Sequence, residues 1–417
     1  MAAHLSSLPC PDHRLIVRPR LLFLAQRMPF PPTKGEKIRA LHTLLHFRQR
    51  YDIYVGCCVD DEADLPFVEE LRALCAELYV ARIHPRWGRL WSLRGLLIGD
   101  ALTVAYFRDP GLSRWVRETM AQVRPEVVFA YSSNIAPLML DLPRVGKRIV
   151  DIVDVDSEKF RAYSETAGFP MRWVYRREWR KIAALERRIA EDCDFSVLVS
   201  EPEAALFRAL VPGHDRKVRG IGNGVDHAYF DPAIGFAAPY ATDRPNYVFT
   251  GTMDYKPNID AVGWFVADIF PVIRRALPDA QFHIVGANPA PDVQRLSRVD
   301  GVHVSGRVAD VRPYIAHATA AVAPMRIARG IQNKVLEAMA MARPIVVTSQ
   351  ALEGITAVHG VEVLLADKAA DFAAYCVRLA TTGTEIGAAA RQHVLAYCDW
   401  DTRLAAYDTL LDGLQPR

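Results

Sequence analysis

The segment Asn246–Asn258, NYVFTGTMDYKPN, shows most clearly the pattern from which the fold class can be predicted. It opens with a short run that is rich in Tyr, Val and Phe, and Gly251 follows this run at once. Lys256 then stands where a helix can begin. A short apolar run without alternation is typical of a strand that is buried on both faces of a parallel sheet. The segment therefore predicts one strand–loop–helix unit of an α/β protein.

The same layout recurs along the whole chain. Helix-like spacing separates the runs, for instance over Ile259–Leu277 and Asn333–Met341. The runs that predict strands are Leu21–Ala25, Tyr51–Val59, Leu78–Ile83, Glu126–Tyr131, Arg148–Val155, Phe195–Ser200, Lys217–Ile221, Asn246–Gly251, Gln281–Gly286, Val302–Ser305, Ala320–Pro324, Pro344–Ser349 and Glu362–Ala366. Such alternation predicts α/β architecture with right-handed crossovers.

The alternation pauses at Gly235–Pro245, a stretch rich in Gly, Pro and Ala. We place the domain boundary there, which predicts two doubly wound domains of similar size that face each other across a cleft. The first domain covers residues 1–235 and the second residues 236–395. In such sheets ligands bind beyond the carboxyl ends of the strands, so the loops after strands are where we look for chemistry.

Composition narrows the class of protein. Of the 417 residues, 51% are apolar and 24% charged, as in a globular protein, and the net charge of +3 is too small to indicate nucleic-acid binding. The seven cysteines are scattered without zinc-ligand spacing, which predicts reduced thiols and a cytoplasmic location. The sequence contains no stretch of 18 uncharged apolar residues, so it predicts no membrane-spanning helix.

Three loops after strands could meet an anionic ligand. Gly35 opens a helix after the first strand, and Lys256 lies near a helix start after Gly251. A plain turn and a solvated lysine are the alternatives. The third loop is the richest in functional residue types: Arg326, Arg329, Gly330, Asn333, Lys334 and Glu337. Lys334 and Glu337 share a helix face, so they either hold a ligand, which we favour, or form an ordinary i,i+3 salt bridge.

The carboxylates Asp151, Asp154 and Asp156 follow a strand in the first half. Three interpretations remain open from the residues alone. The carboxylates could hold a divalent metal, they could contact a sugar or act as a base, or Asp156 or Ser157 could simply cap a helix.

The segment Met171–Arg188, MRWVYRREWRKIAALERR, is basic and aromatic. As a helix it fits an anionic lipid surface, which predicts peripheral membrane contact. The bases proposed for this contact are Arg172, Arg176, Arg177, Arg180 and Lys181. A solvated helix with its tryptophans packed inward is the alternative, and the net charge gives a nucleic-acid face no support.

Taken together, the motifs resemble a known family. They are Gly222–Asp226, Phe249–Asn258, His283–Gly286, Gly306–Asp310 and Lys334–Val346. Their combination and order resemble the GT-B glycosyltransferases of the retaining family 4, which have two Rossmann-like domains. More narrowly, Pro29–Arg39, Val153–Lys159 and Ala323–Lys334 resemble the sugar transferases of exosortase-linked (PEP-CTERM) exopolysaccharide clusters.

The resemblance implies roles for individual residues. Glu337 matches the second glutamate of the E-x7-E motif, which holds the donor's ribose or sugar. Gly251, Lys256 and Gly330 match the segments that grip the diphosphate. Gly286, Gly306 and Val308 match the walls around the nucleobase, and Gly35 matches a first-domain glycine near the donor phosphates. Asp154 and Asp156 stand where the family often has a histidine, so the implied catalytic residues are Asp154, Asp156 and Glu337.

Two positions depart from the family pattern. Arg329 replaces the first glutamate of E-x7-E, and Thr252 replaces an arginine. We hypothesise that Arg326, Arg329 or Lys334 meets the diphosphate charge instead.

The resemblance implies an enzyme, a retaining hexosyltransferase without metal or other cofactor. It implies that the second domain binds a nucleoside-diphosphate sugar and that the first binds a lipid-linked or oligosaccharide acceptor. Residues 396–417 match a C-terminal helix that crosses back to the first domain. The expected setting is exopolysaccharide or cell-envelope synthesis at the inner membrane. The alternatives are a non-catalytic scaffold, a nucleotide-sugar epimerase and a metal-dependent transferase that uses Asp154 and Asp156.

Overall fold

A computed structural model describes residues 18–412 apart from 33–34, 85–87, 89–91, 93–94, 97–98, 329 and 383. The described part contains thirteen strands. They are β1 Arg20–Ala25, β2 Asp52–Val59, β3 Glu77–Arg82, β4 Val127–Tyr131, β5 Lys147–Val153, β6 Phe195–Leu198, β7 Val218–Gly220, β8 Asn246–Thr250, β9 Gln281–Val285, β10 Val302–Gly306, β11 Ala320–Ala323, β12 Ile345–Val347 and β13 Leu364–Leu365. Each predicted run contains or overlaps one of these strands.

Helices connect the strands in both halves. The α-helices of the described part are α1 Gly35–Arg48, α2 Val68–Arg72, α3 Leu102–Tyr106, α4 Pro110–Gln122, α5 Pro137–Leu140, α6 Asp156–Thr166, α7 Met171–Asp192, α8 Glu201–Leu210, α9 Lys256–Trp264, α10 Phe270–Ala276, α11 Pro291–Leu296, α12 Arg312–Ala316, α13 Asn333–Ala340, α14 Ser349–Leu352, α15 Ala369–Thr381, α16 Ile386–Tyr397 and α17 Trp400–Asp412. Shorter 3-10 segments and one π-turn, Phe265–Ile269, complete the connections.

The strands form two parallel sheets. The seven-stranded sheet has the order β3-β2-β1-β4-β5-β6-β7, and the six-stranded sheet has the order β10-β9-β8-β11-β12-β13. All residues of β4 and β8 are buried, as expected for central strands that helices cover on both faces. The predicted α/β, doubly wound class is confirmed.

The chain divides into two compact units, one running to Gly222 and taken up again from Leu404, the other Asn223–Arg403. Residues 223–235, which we had assigned to the first domain, contact the second unit. The Arg391 guanidinium donates to the Phe230 carbonyl (3.1 Å) and to the Asp231 carboxylate (3.0 Å). The two units therefore meet in the chain between Gly222 and Asn223, and the Gly- and Pro-rich stretch Gly235–Pro245 is a loop inside the second unit.

A buried polar triad ties α1, β5 and α17 together in the first unit. The Arg39 side chain donates from Nε to Asp151 Oδ2 (2.8 Å), and the Tyr407 hydroxyl donates to the same oxygen (2.7 Å). Arg39 is 1% exposed and Asp151 0%. The Tyr407 ring also packs on Phe47 and Phe129, at centroid distances of 5.5 and 5.6 Å. Asp151 is therefore committed to the core.

Removing one partner of this triad should be costly, because the other charge would stay buried and unpaired. Asp151→Asn should lower the free energy of unfolding of the first unit by about 3–5 kcal/mol in urea melts. The double variant Arg39→Met/Asp151→Leu should recover much of that loss. Arg50→Met, which breaks the exposed ion pairs to Asp408 and Asp412, is the control and should cost less than about 1 kcal/mol. A similarly small effect for Asp151→Asn would contradict this account.

Candidate active site

The strand order reverses beside β1 in the first sheet and beside β8 in the second. At such a point the loops that leave two neighbouring strands turn to opposite faces and open a crevice at the carboxyl edge. The loops concerned follow β1 and β4 in one unit and β8 and β11 in the other. The predicted site residues after these strands lie in these loops and at the starts of the helices that follow them.

In the second unit, the loops after β8 and β9 touch through their backbones. A Cβ at Gly286 would collide with the carbonyl oxygen of Gly251. A Cβ at Gly251 would lie 2.8 Å from Asn258 Nδ2 and 3.3 Å from Lys334 Nζ. Gly251 and Gly286 are thus needed for a close approach of the two loops, and Gly251 is half-buried beside Lys334.

Lys334 lies in the first turn of α13, and its amine is held by neutral partners. Lys334 Nζ donates to Asn258 Oδ1 (2.7 Å) and stands 4.0 Å from the centroid of the Phe249 ring. Asn258 in turn donates from Nδ2 to the Thr252 carbonyl (2.8 Å). Burial lowers the pKa of Lys334 to about 7, although nearby Glu337 acts to raise it. The amine is therefore ready to gain stability from an anionic ligand.

Glu337 lies one turn further along α13. Within the described part of the chain its carboxylate has no hydrogen bond and no ion pair, so the i,i+3 salt bridge with Lys334 does not form. Burial raises the pKa of Glu337 to about 7, and Lys334 acts to lower it. Because partly buried carboxylates normally have partners, this one is available for a ligand hydroxyl.

The structure also places the other residues predicted to bind the donor. Lys256 begins α9 and is exposed, while Arg326 forms a two-pronged pair with Asp260 (Nε–Oδ2 3.0 Å). Asn333 accepts from Asn223 Nδ2 (3.0 Å). Lys334, Asn258 and Gly251 thus lie together, whereas Arg326 already has a matching carboxylate. Asn258 was missed as a site residue, although it belongs to the quoted motif.

The remaining predicted positions are backbone sites or lie elsewhere. Gly306 ends β10 at a positive φ of 68°, and Val308 packs against the second-unit core. Gly330 has a φ of 66° just before α13. Gly35 begins α1 in the first unit. Arg329 lies outside the described residues.

The first unit has a cavity of about 660 Å³ at the carboxyl ends of its central strands. Its polar lining includes Gln26 after β1, Tyr131, Ser132 and Asn134 at and after β4, and Asp154 and Asp156 after β5. Sequence reasoning found the two aspartates and missed the residues of the β4 loop. The position of that loop beside the point of strand reversal is the signal that could have identified them.

The backbone is strained where it enters this cavity. The pairing of β5 with β6 shifts register between Asp151 and Val153, and Val153 has a φ of 73°. Ser132 has a φ of 81° at the end of β4. A positive φ is costly for a β-branched residue and is found where a functional constraint maintains it. The irregular end of β5 turns the chain so that Asp154 lines the cavity while Asp151 faces the core.

Asp154 and Asp156 differ in their partners. Burial raises the pKa of Asp154 to about 7, with further contributions from Glu203 and Asp156, and its Oδ1 atom is buried without a hydrogen-bond partner. Burial also raises the pKa of Asp156, but Lys159 Nζ lies 3.8 Å from its Oδ1 and opposes the shift. Asp154 is thus the carboxylate with an unsatisfied oxygen.

Neither Asp156 nor Ser157 caps α6. The N-cap residue is Val155, whose own side chain makes no cap hydrogen bond. The Val155 amide donates to Glu203 Oε2 of α8, and the Ser157 amide donates to Glu186 Oε1 of α7, both at 3.0 Å. The capping interpretation is therefore wrong, because carboxylates from distant helices satisfy these amides and local sequence does not reveal them.

The set of three aspartates does not form a metal site, since Asp151 points into the buried triad with Arg39 and Tyr407. Within the described residues, no group of three or more His, Cys, Asp or Glu side chains is placed to hold a metal ion.

The basic helix α7 presents only part of its charge to solvent. Arg172, Arg176, Arg180 and Lys181 are exposed. Arg177 turns inward and donates to the carbonyls of Gly95 (2.6 Å) and Asp100 (2.7 Å). None of the described helices has the length and apolar content that crossing a membrane requires.

Comparisons with known proteins agree with this geometry. Residues 244–382 match the family described as "Glycosyl transferases group 1". Sucrose-phosphate synthase from Thermosynechococcus elongatus has a similar structure (TM-score 0.66, 16% identity, 94% of this chain and 98% of that one). Anabaena Alr3699/HepE in complex with UDP and glucose is also similar (TM-score 0.64, 14% identity, 95% of this chain and 100% of that one). So is WaaG, a glycosyltransferase involved in lipopolysaccharide biosynthesis (TM-score 0.61, 13% identity, 94% of this chain and 99% of that one). No curated protein sequence matches.

The two parallel sheets and this likeness across nearly the whole chain define the GT-B fold. Within this fold, residues 244–382 match the glycosyl transferases of group 1, which indicates an enzyme of the glycosyltransferase class, EC 2.4.

The raised pKa of Asp154 predicts a pH-dependent stability effect. The folded carboxyl keeps its proton up to about pH 7, whereas the unfolded group ionises near pH 4, so its ionisation costs stability increasingly between these values. Asp154→Asn should therefore raise the free energy of unfolding by roughly 1–3 kcal/mol at pH 8, and by much less at pH 4. Melts of this variant and of the exposed control Asp215→Asn check it. An equal change at both pH values would contradict the expectation.

Proposed function

We propose that the second unit binds the nucleoside-diphosphate sugar and that the first unit binds a glycan acceptor, with transfer that retains the anomeric configuration. One observation carries the proposal. Where the strand order of the second unit reverses, Lys334 and Glu337 stand one turn apart on α13, with Gly251 beside Lys334. Within the described residues Lys334 has no ion pair, and Glu337 has neither a hydrogen bond nor an ion pair. This arrangement has a cation for a diphosphate and an acceptor for a hydroxyl.

The charge that develops on the leaving group gives Lys334 its proposed role. As the bond between the anomeric carbon and the diphosphate breaks, negative charge grows on the leaving oxygen. The amides at the start of α13 and Lys334 Nζ can stabilise that charge more in the transition state than in the ground state. The ligand's charge would raise the pKa of Lys334 from about 7 and keep the amine protonated.

Glu337 is proposed to accept a hydroxyl of the donor's ribose or sugar. The main support is that this half-buried carboxylate has no hydrogen bond or ion pair within the described residues, since a carboxylate that gains a charge-assisted hydrogen bond on ligand binding adds affinity. Lys256 and Arg326 are proposed to contribute to the diphosphate field. The diphosphate would then replace Asp260 as the partner of Arg326, or share the guanidinium with it.

In the first unit, Asp154 is the residue we propose to face the reacting sugar. Its Oδ1 atom is unpartnered, whereas Asp156 has Lys159 nearby. Asp154 would meet the attacking hydroxyl and orient it, and Asp156 would support the charge of the site. The reaction is proposed to need no metal, since the amides and Lys334 can take the place of a cation.

UDP is the nucleotide we test first, because a solved structural neighbour holds UDP and glucose. Cell-envelope or exopolysaccharide synthesis is the proposed setting, and it is supported by the likeness to WaaG, which is involved in lipopolysaccharide biosynthesis. The narrower link to exosortase-associated clusters rests on the sequence resemblance. The acceptor is proposed to be lipid-linked or an oligosaccharide.

The turn between α6 and α7 supports peripheral contact with an anionic cytoplasmic membrane surface. Phe169 is 91% and Trp173 57% exposed, and Arg172, Arg176 and Arg180 are exposed on the same end of α7. Large exposed aromatic side chains beside arginines fit the interface between lipid headgroups and acyl chains. Arg177 is not part of this surface, because it is bound to backbone carbonyls.

Three rival interpretations make different predictions. A non-catalytic scaffold, suggested by arginine at position 329, would show no donor turnover with cell-envelope lipids present. An epimerase would release an epimer or free sugar without an acceptor. A metal-dependent transferase using Asp154 and Asp156 would lose activity with a chelator.

Calorimetric titration with UDP and with GDP, each with and without chelator, tests the donor site. We expect micromolar binding of one nucleotide, unaffected by chelator. Glu337→Ala should weaken binding of the matching nucleotide sugar by about 1–3 kcal/mol, while the exposed control Glu385→Ala should leave it unchanged. Unchanged affinity in Glu337→Ala would place the donor elsewhere. Binding of neither nucleotide would favour the scaffold.

Charge reversal on α7 tests the membrane contact. Arg176→Glu/Arg180→Glu should reduce sedimentation with anionic phosphatidylserine vesicles about tenfold or more, since each basic residue near such a surface contributes about 1 kcal/mol. Arg114→Glu/Arg117→Glu makes the same charge change on exposed positions of α4 and should have little effect. If both double variants lowered vesicle binding equally, the binding would depend on the net charge of the protein and not on α7. If neither variant lowered it, the proposed membrane contact would be refuted.

A further inference from the structure

In the described part of the chain, three buried polar atoms on residues that line the cavity of the first unit lack hydrogen-bond partners. They are Tyr131 Oη, Asn134 Oδ1 and Asp154 Oδ1, and the three residues all line the cavity. Tyr131 is 4% and Asn134 8% exposed. Unsatisfied buried polar atoms are rare in proteins, and three of them in one cavity indicate a ligand that supplies the missing hydrogen bonds.

The neighbours of these atoms fix what the ligand must offer. Asn134 Nδ2 donates to Gln26 Oε1 (3.3 Å), so its amide oxygen remains as an acceptor. Ser132 Oγ donates to the same Gln26 oxygen, which is thereby occupied. Asp154 Oδ1 accepts when the carboxyl is ionised, and the Tyr131 hydroxyl can donate or accept. Two of the three free atoms thus call for donors, and sugar hydroxyls are donors that can also accept.

Cations at this cavity are already matched by acids. Arg27 donates to Asp60 (3.0 Å) and to Glu36 (3.0 Å), and Lys37 pairs with Asp64. Lys159 Nζ lies 3.8 Å from Asp156 and also acts on Asp154. Among the described lining residues, each lysine and arginine already lies beside an acid, so a phosphate or carboxylate would meet the carboxylates of Asp154 and Asp156, and like charges at short range repel.

Apolar groups provide the other wall. Phe107, Phe160 and Ile152 line the same cavity as the free polar atoms. A pyranose ring has hydroxyls around its edge and C–H groups on its faces, so it matches a lining that is polar on one side and aromatic or aliphatic on the other. The volume of about 660 Å³ has room for more than one such ring.

We propose that the acceptor group entering this cavity is an uncharged, hydroxyl-rich sugar ring, bound through hydroxyls to Asp154, Asn134 and Tyr131, and that rings bearing phosphate or carboxylate are rejected. This inference rests on the proposed function, in which the first unit binds the acceptor, and it adds the chemical class of the acceptor. Any phosphate of a lipid-linked acceptor would then lie outside the cavity.

Saturation-transfer NMR on the full chain tests the proposal with defined probes. The neutral probes are the methyl glycosides of glucose, galactose and mannose, and the anionic probes are glucuronic acid and glucose 6-phosphate. We expect at least one neutral glycoside to bind about fivefold or more tightly than both anionic probes. Asn134→Ala and Tyr131→Phe should each weaken that glycoside about fivefold, the effect of losing one hydrogen bond in a buried site.

Asp154→Asn keeps the shape of the side chain and removes its charge. It should reduce the preference for neutral over anionic probes to near parity, while Asp215→Asn, the same change on an exposed aspartate, should leave the preference intact. Neutral and anionic probes that bind wild type equally, or an unchanged preference in Asp154→Asn, would overturn the inference.

The nucleotide titration separates this inference from the proposed function. If UDP or GDP binds and no neutral glycoside does, the donor site stands and the acceptor inference fails, with water filling the cavity. If glycosides bind selectively and neither nucleotide does, the ring site stands and the proposed transfer function fails.

Discussion

In both sheets the strand order reverses, at β1 in the first unit and at β8 in the second. This reversal determines where each unit can bind a ligand. The chain must leave these strands and their neighbours β4 and β11 on opposite faces, so a crevice opens at each carboxyl edge whatever side chains line it. The sequence then supplies the chemistry: glycines where backbones touch, a lysine at the start of α13, and aspartates after β5.

The two kinds of buried charge in this protein contrast sharply. Arg39, Asp151 and Tyr407 satisfy one another and have negligible exposure, so they stabilise one arrangement of the first unit. Lys334, Glu337 and Asp154 have pKa values near 7 because burial disfavours their charge and no opposite charge fully offsets it. Groups left in this state reduce stability, and such states persist where a ligand completes the site.

The strands were predictable from sequence because continuous apolar runs survive in any buried parallel strand, even one as short as Leu364–Leu365. Residues whose role depends on distant partners were not predictable. Asp151 reads like Asp154 in the sequence, and only the register shift at Val153 separates the core carboxylate from the cavity carboxylate. Glu186 and Glu203 cap α6 from two other helices, and Arg177 reaches carbonyls far from its own helix. No local pattern encodes such contacts.

Thr252, one of the two departures from the family pattern, is connected to Lys334 through Asn258. An arginine after Gly251 would bring a permanent charge to the loop after β8, but Thr252 brings only its carbonyl, which Asn258 binds. That bond orients Asn258 so that its oxygen accepts from Lys334, whose amine thus reaches the place beside Gly251 that a side chain there would fill. A lysine in this setting differs from an arginine, because its pKa of about 7 lets it carry less charge while the site is empty. The chain thereby keeps an ionisable amine beside Gly251 and lowers the cost of burying it while no anion is bound.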